Sequence, residues 1–239
     1  MIEKLQSMVE ESQRIVFFGG AGTSTESNIP DFRSAGGLYN QGTTYPVEQL
    51  LSHSFFVAHP DLFYDFYKTN MMYLDAEPNA AHLKLAEMEA VGKLSGVVTQ
   101  NIDGLHQKGG SKTVNELHGS VLRNYCMRCN AFYDATYVKE AEGVPLCSCG
   151  GVIKPDVVLY EEPLNQRVIQ EAVEAISKAD LLMIGGTSLV VYPAAGFIDY
   201  FRGKYLVIIN KGETARNPSA DLVIREPIGE VLKQIYVTS

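Results

Sequence analysis

The run Arg14-Ile-Val-Phe-Phe18 passes directly into Gly19-Gly20-Ala21-Gly22. A short stretch of β-branched and aromatic residues that stops at glycines is the pattern of a parallel strand buried on both faces. Three similar runs follow: Gly96-Val-Val-Thr99, Leu181-Leu-Met-Ile184 and Leu206-Val-Ile-Ile209. Helical periodicity precedes several of them, in residues 1–12 (Ile2, Leu5, Met8, Val9), Ala80 to Val91 and Asn165 to Lys178. Strands alternating with helices predict an α/β chain with a mostly parallel, doubly wound sheet. The four runs end in Gly19-Gly-Ala-Gly22, Gln100-Asn-Ile-Asp103, Gly185-Gly-Thr-Ser188 and Asn210. Ligands of open α/β sheets lie beyond the carboxyl ends of the strands. Four polar or glycine-rich ends in succession therefore predict one continuous ligand site.

Two segments break the alternation. Residues 34–79 are rich in aromatics (Phe55, Phe56, Phe63, Tyr64, Phe66, Tyr67) with a mostly helical pattern, and residues 123–151 hold every cysteine. We expect a Rossmann-like domain built from residues 1–33, 80–122 and 152–239. A helical insertion at 34–79 and a zinc-ribbon-like insertion at 123–151 would form a small second lobe. A chain of 239 residues is long enough for one sizeable core plus such a satellite.

The net charge of −8 argues against a nucleic-acid partner, because phosphate contacts need clustered Lys and Arg. No apolar run approaches the roughly 18 residues that span a bilayer. The N-terminal residues lack a basic stretch followed by an apolar one. These features lead us to expect a cytoplasmic protein with no membrane partner, and a monomer. All four cysteines lie between Cys126 and Cys149, and in a cytoplasmic chain such clustering suggests a metal site before disulfides. Cys126-x2-Cys129 and Cys147-x-Cys149 stand 17 residues apart. Two such pairs suit a tetrahedral zinc ion with no open position, hence a structural one. Free or redox-active thiols are the alternative. The second pair is one residue shorter than usual, which bears on metal retention.

Gly20-Ala21-Gly22 after a strand lets the backbone approach a pyrophosphate. Such a turn is structural as often as functional, and Thr25 stands where a dinucleotide fingerprint would carry its third glycine. The continuation Ser27-Asn-Ile-Pro-Asp-Phe-Arg33 suggests a loop folded over the ligand, with Asp31 beside Phe32 and Arg33. In Thr99-Gln-Asn-Ile-Asp-Gly-Leu-His106, the amide and carboxylate groups could orient a ribose, or simply close a turn on Gly104. His118 gains meaning only in company with these segments.

Together the segments resemble the sirtuins, NAD-dependent protein lysine deacylases, and a bacterial member in particular. The resemblance extends from Val16 to about Ile228. It rests on residues 20–33, residues 99–106, Leu117-His-Gly119, the four cysteines, Pro155-Asp-Val-Val158 and Gly186-Thr-Ser-Leu-Val-Val-Tyr-Pro-Ala-Ala195.

The resemblance implies His118 as general base, with Asn101 and Asp103 in the nicotinamide-ribose pocket and Ile29 and Ile102 lining it. Gly20, Ala21, Gly22, Thr25, Asp31, Phe32, Arg33 and Gln100 fall on further NAD-binding segments. Gly186, Thr187, Ser188 and Asn210 match positions near the phosphates and adenine ribose, with Ile228 near the adenine. Val157 and Val158 match the strand that pairs with the substrate peptide. The implied reaction removes acetyl or longer neutral acyl groups from lysine, cleaving NAD to nicotinamide and O-acetyl-ADP-ribose. Mono-ADP-ribosyl transfer from the same pocket and a non-catalytic NAD- or ADP-ribose-binding module are the competing functions.

Two departures concern loops: Asn28 and Glu161 stand where the family usually has glycine. A third concerns acyl choice. Members that prefer succinyl-lysine carry a Tyr-x-x-Arg pair, whereas Tyr67-Lys-Thr-Asn70 lacks the arginine. Acidic acyl groups would lack a bidentate partner.

Overall fold

A computed structural model describes residues 1–40, 42–214 and 216–237. In chain order the strands are β1 (Ile15–Gly19), β2 (Leu94–Thr99), β3 (Val114–Glu116), β4 (Gly119–Cys126), β5 (Phe132–Asp134), β6 (Ile153–Val157), β7 (Leu181–Gly185), β8 (Tyr205–Ile209) and β9 (Leu222–Ile224). The α-helices are α1 (Ile2–Glu11), α2 (Val47–Leu50), α3 (His53–Ala58), α4 (Pro60–Asn70), α5 (Ala80–Ala90), α6 (Leu105–Lys108), α7 (Ala135–Glu140), α8 (Gln166–Lys178) and α9 (Ile228–Leu232).

Six strands form one sheet in the order β3-β2-β1-β7-β8-β9, and every neighbouring pair in it is parallel. This is the 3-2-1-4-5-6 order of a doubly wound sheet. Strand order reverses between β1 and β7, so a crevice opens where the two chains leave the sheet in opposite directions. Both strands are buried at every position, as their unbroken apolar runs require. Side chains alternate between faces. Ile15, Phe17, Val97, Met183 and Ile209 pack on α1, α5 and α9 through Leu5, Met8, Leu85, Met88 and Val231. Val16, Phe18, Val98, Ile184 and Ile208 pack on the other face against Ala172 and Ile176 of α8. The helix starts are fixed locally: the Asn79 side chain accepts from Ala81 N–H, and that of Asn165 accepts from Arg167 N–H.

The small lobe is a second, antiparallel sheet, β5-β4-β6, packed on α2–α4. Phe56, Phe63, Tyr64 and Tyr67 are buried with Val121 and Ile153, and the Tyr64 hydroxyl donates to the Ile153 carbonyl. The expected segment boundaries at 122/123 and 151/152 cut this sheet. Strand β4 begins at Gly119 and β6 follows the cysteines, because the cysteine loops need a paired strand on each flank. The helical pattern expected from residue 34 starts later, with α2 at Val47. Among the described residues of 34–46 there is a single helical turn, Leu38–Asn40, since Gly36, Gly37 and Pro46 oppose longer helix.

His82 and His106 lie buried behind the sheet's polar end, their rings 4.8 Å apart and edge to face. His82 Nδ1 accepts from the Asn79 N–H at 3.2 Å, whereas neither His106 nitrogen has a partner among the described residues. Burial pushes His82 down to about 4, against a smaller opposing pull from Asp103. Burial, then the neighbouring His82, pushes His106 down to about 3. Above an unfolded-state value of ~6.5 both states are neutral and the pair contributes no pH dependence. As pH falls below that value the unfolded chain takes up two protons that the folded chain refuses. Unfolding free energy measured in urea should therefore drop by about 2 kcal/mol between pH 7.5 and 5.5. A variant with both histidines replaced by Gln should lose most of that slope.

Candidate active site and metal centre

The turns after β1 and β7 meet at the crevice. The Gly22 N–H donates to the Gly186 carbonyl at 2.8 Å and the Gly20 N–H to the Gly185 carbonyl at 3.2 Å. A Cβ on Gly22 would lie 2.8 Å from Gly186 Cα, and one on Gly20 would lie 2.8 Å from Thr187 Cβ. Gly186 has φ +59°, and a Cβ there would reach within 2.2 Å of the Thr23 nitrogen. The glycine turn is thus first a tight joint between two strand ends. The Ala21 N–H has no hydrogen-bond partner among the described residues, whereas the Gly20, Gly22, Thr23 and Ser24 N–H groups are bonded within the joint. Thr25 Oγ1 donates back to the Gly22 carbonyl at 3.0 Å and so closes the turn.

From this joint a polar chain crosses to β2. Gln100 Nε2 donates to Thr187 Oγ1 at 3.1 Å, and the same oxygen accepts from the Leu189 N–H. The Gln100 carbonyl lies 3.0 Å from His118 Nδ1. A carbonyl oxygen only accepts, so Nδ1 carries the ring proton and Nε2 is left as the basic lone pair. Burial lowers the His118 pKa below its usual value, and the bond to Gln100 opposes that shift. The ring is therefore neutral at pH 7.

Beside it, Ser24 Oγ donates to Asp103 Oδ2 at 2.6 Å and accepts from Asn101 Nδ2 at 3.0 Å. Asp103 Oδ1 accepts from the Leu105 N–H at 2.9 Å. Asn101 and Ser24 are buried. Ser24, absent from the sequence-derived residue set, is the hinge of this chain. Its partners lie 77 and 79 residues away, so no local spacing announces it.

The remaining predicted residues fall around this centre. The Ile29 N–H donates to the Ser24 carbonyl, and Ile102 packs against the small-lobe core. Asp31 is half-buried, and its Oδ1 accepts from the Arg33 and Ser34 N–H groups, closing a turn with one of its two carboxylate oxygens. Phe32 packs toward the small lobe, and Arg33 is exposed with its guanidinium 5.0 Å from the Tyr39 ring. Ser188 is half-buried at the end of β7. The Asn210 amide donates to the Gly212 carbonyl at the end of β8. Ile228 is buried in the core at the start of α9. Three strand spacings separate β2 from β8, about 14 Å, which suits an extended dinucleotide rather than one nucleotide.

His118 sits where the chain leaves the large sheet for the small one. The Leu117 N–H donates to the Thr99 carbonyl, and the His118 carbonyl accepts from the Val158 N–H at 3.0 Å. Gly119 pairs with Val157 at φ +75°, with a Cβ position 1.8 Å from the Asp156 oxygen. Only glycine fits there. Val157 and Val158 thus lie directly beside the histidine.

The four cysteine Sγ atoms all lie within 4.8 Å of one another. Four Zn–S bonds of ~2.3 Å in a tetrahedron place the sulfurs about 3.8 Å apart. Cys126 to Cys149 and Cys129 to Cys147 are each 3.5 Å. The Arg128 N–H points at Cys126 Sγ and the Cys149 N–H at Cys147 Sγ. Both loops therefore offer an amide to a thiolate, and the shortened pair closes as well as the longer one. The donor set suits one structural zinc ion.

The family model described as Sir2 family matches residues 20–193. A Clostridium perfringens (strain 13 / Type A) protein named NAD-dependent protein deacetylase is 60% identical, covering 98% of each chain. A Sir2 structure with p53 peptide and NAD+ superposes with TM-score 0.87 at 40% identity, over 98% of this chain and 96% of that one. A Sir2 variant with deacetylated p53 peptide and 3′-O-acetyl ADP ribose superposes with TM-score 0.91 at 39% identity, over the same shares.

Gly186→Ala should lower unfolding free energy by more than about 2 kcal/mol in a denaturant titration, because it adds both strain and overlap. The acid limb of the kcat/KM profile, which reports the free enzyme's base, should lie below the ordinary imidazole value of ~6.5. A limb above that value would contradict the buried, neutral His118.

Proposed function

The chain belongs to the Sir2 family, and from that premise we propose how its residues carry out NAD-dependent protein lysine deacetylation. NAD, consumed as co-substrate, supplies an electrophilic ribose carbon that the acyl oxygen of the substrate lysine attacks as nicotinamide leaves. An amide oxygen is a weak nucleophile, so the protein's first task is to position it and exclude water. Val157 and Val158, adjoining His118, present a strand edge to the peptide. Ile29 and Ile102 line the nicotinamide-ribose pocket, and Phe32 is a further NAD contact. Asn101, Ser24 and Asp103 act as one unit, a fixed row of donors and acceptors for the ribose hydroxyls.

His118 then moves the proton. Its Nε2 takes a proton from a ribose hydroxyl, which activates that oxygen toward the acyl carbon. The observation that carries this reading is the Nδ1 bond to the Gln100 carbonyl. It fixes the tautomer without supplying a charge, so the ring is a neutral base at cytoplasmic pH. One water molecule is then consumed as the acyl carbon–nitrogen bond breaks and the amine leaves, so the products are free lysine, nicotinamide and O-acetyl-ADP-ribose. Zinc, held by Cys126, Cys129, Cys147 and Cys149, ties the small lobe together, and no step passes through it.

The acyl pocket favours neutral chains. Tyr67 is fully buried among Phe63 and Tyr64, and burial holds its hydroxyl protonated. Asn70 turns its amide onto the Phe66 carbonyl of its own helix. The reading also takes the enzyme as cytoplasmic and acting on proteins, with neither nucleic acid nor membrane as partner and a monomer favoured. The net charge of −8 supports the absence of a nucleic-acid partner. Among the described residues no helix is long and apolar enough to span a bilayer.

Purified protein with NAD and an acetyl-lysine peptide should release nicotinamide and shift the peptide by one lost acetyl group in mass spectrometry. His118→Ala should lower kcat by about 10²- to 10⁴-fold. A peptide that gains ADP-ribose would replace deacetylation by ADP-ribosyl transfer. Metal analysis should find one zinc per chain, and Cys129→Ser should release it.

A further inference from the structure

Tyr39 and Tyr160 lie 121 residues apart in sequence, and their hydroxyls are 2.9 Å apart. Each belongs to a segment that is well tied at one end. On the cofactor side, the Leu38 N–H donates to the Asp31 carbonyl and the Tyr39 N–H to the Phe32 carbonyl. The Tyr39 ring meets Phe32 edge to face at 5.7 Å and carries the Arg33 guanidinium at 5.0 Å. Wherever Tyr39 is held, Phe32 and Arg33 are held with it. Ser34, Ala35 and Gly36 are exposed. Among the described residues the hydroxyl pair is the one hydrogen bond from 34–40 to another element.

Tyr160 stands on firm ground. Its N–H donates to the Leu51 carbonyl and its carbonyl accepts from the His53 N–H, each at 3.0 Å. The flanking Glu161 carboxylate accepts from Ser54 N–H and Oγ. Glu162 joins His53 and Lys154, and Lys154 also donates to the Val157 carbonyl. The tyrosine is therefore built into the small lobe two residues beyond Val158.

We propose that Tyr160 is a positioning residue whose hydroxyl clips the Phe32-Arg33 loop, through Tyr39, to the end of the peptide-binding strand. This rests on the deacetylase reading of those two segments. The clip touches no reacting atom. It sets the fraction of molecules whose cofactor loop is already closed, and apparent affinity scales with that fraction. Chemistry in the closed complex is unchanged.

The test is a cycle of Tyr39→Phe, Tyr160→Phe and the double variant. Rates of nicotinamide release are measured at saturating acetyl-lysine peptide, and ADP-ribose binding by calorimetry. One solvent-near hydroxyl pair should change affinity about two- to five-fold. Each single variant should raise KM for NAD and Kd for ADP-ribose by that factor with kcat retained. The double variant should match the singles, since either change alone breaks the pair. The proposal is overturned if Tyr160→Phe binds as wild type does, if the two effects multiply, or if kcat falls while KM holds. A wild-type protein that releases no nicotinamide would count against the deacetylase reading instead, and the ADP-ribose titration would still decide the clip.

Discussion

The joint between Gly20-Gly22 and Gly186 is the contact on which the rest of the site depends. Two parallel strands that leave a sheet in opposite senses must part, and the crevice so formed is where ligands of such sheets bind. Here the parting turns are pressed together until no side chain fits between them. That closeness brings Thr187 within reach of the Gln100 side chain, while the backbone carbonyl of the same residue accepts the His118 Nδ1 proton. The Gln100 N–H in turn donates to the Gly19 carbonyl. The residue that fixes the histidine's tautomer is thus tied to the joint by both its backbone and its side chain.

The position of His118 follows from topology as much as from hydrogen bonding. Residues 114–116 pair with β2 in the large sheet, and residues 119–126 pair with β6 in the small one. Two residues, Leu117 and His118, make the passage. A side chain at that passage has the strand ends of the large sheet on one side and Val157–Val158 on the other. In the proposed reaction this places the base between the two substrates.

The large domain was legible because its signal is local. Four of its six strands carry apolar runs of buried residues that stop at polar or glycine residues. The edge strands β3, a half-buried Val-Asn-Glu, and β9, three residues long, carry no such run and went unread. The cysteine centre was legible for the same reason, and its shortened pair reaches the cluster because the chain reverses tightly after Cys147. What escaped were long-range contacts. Ser24 is one serine in a glycine-rich turn until Asn101 and Asp103 arrive from another strand. Tyr39 and Tyr160 carry no pattern that pairs them. Asp31 has one carboxylate oxygen, Oδ1, closing a turn, a use that Asp serves in many loops and that its sequence neighbours do not single out. The limits of the small lobe were obscured because β4 and β6 flank the cysteines with ordinary apolar alternation, which reads equally well as part of the larger domain.

Asn28 and Glu161 show how the chain carries two departures in its loops. Both adopt left-handed backbone, with φ of 63° and 77°, where only glycine is unstrained. Asparagine tolerates this conformation well. Glutamate does so less readily, at a cost of about 1–3 kcal/mol. At 161 the carboxylate recovers much of that cost by accepting from both the N–H and hydroxyl of Ser54 at the start of α3. Glycine would remove the strain together with those bonds. It would also enlarge the conformational freedom of the unfolded loop, which folding must then remove. The side chain therefore exchanges a relaxed backbone for a fixed one, three residues after Val158. In this chain the loop beyond Val158 is held by its own side chains, Glu161 on Ser54 and Glu162 on His53 and Lys154.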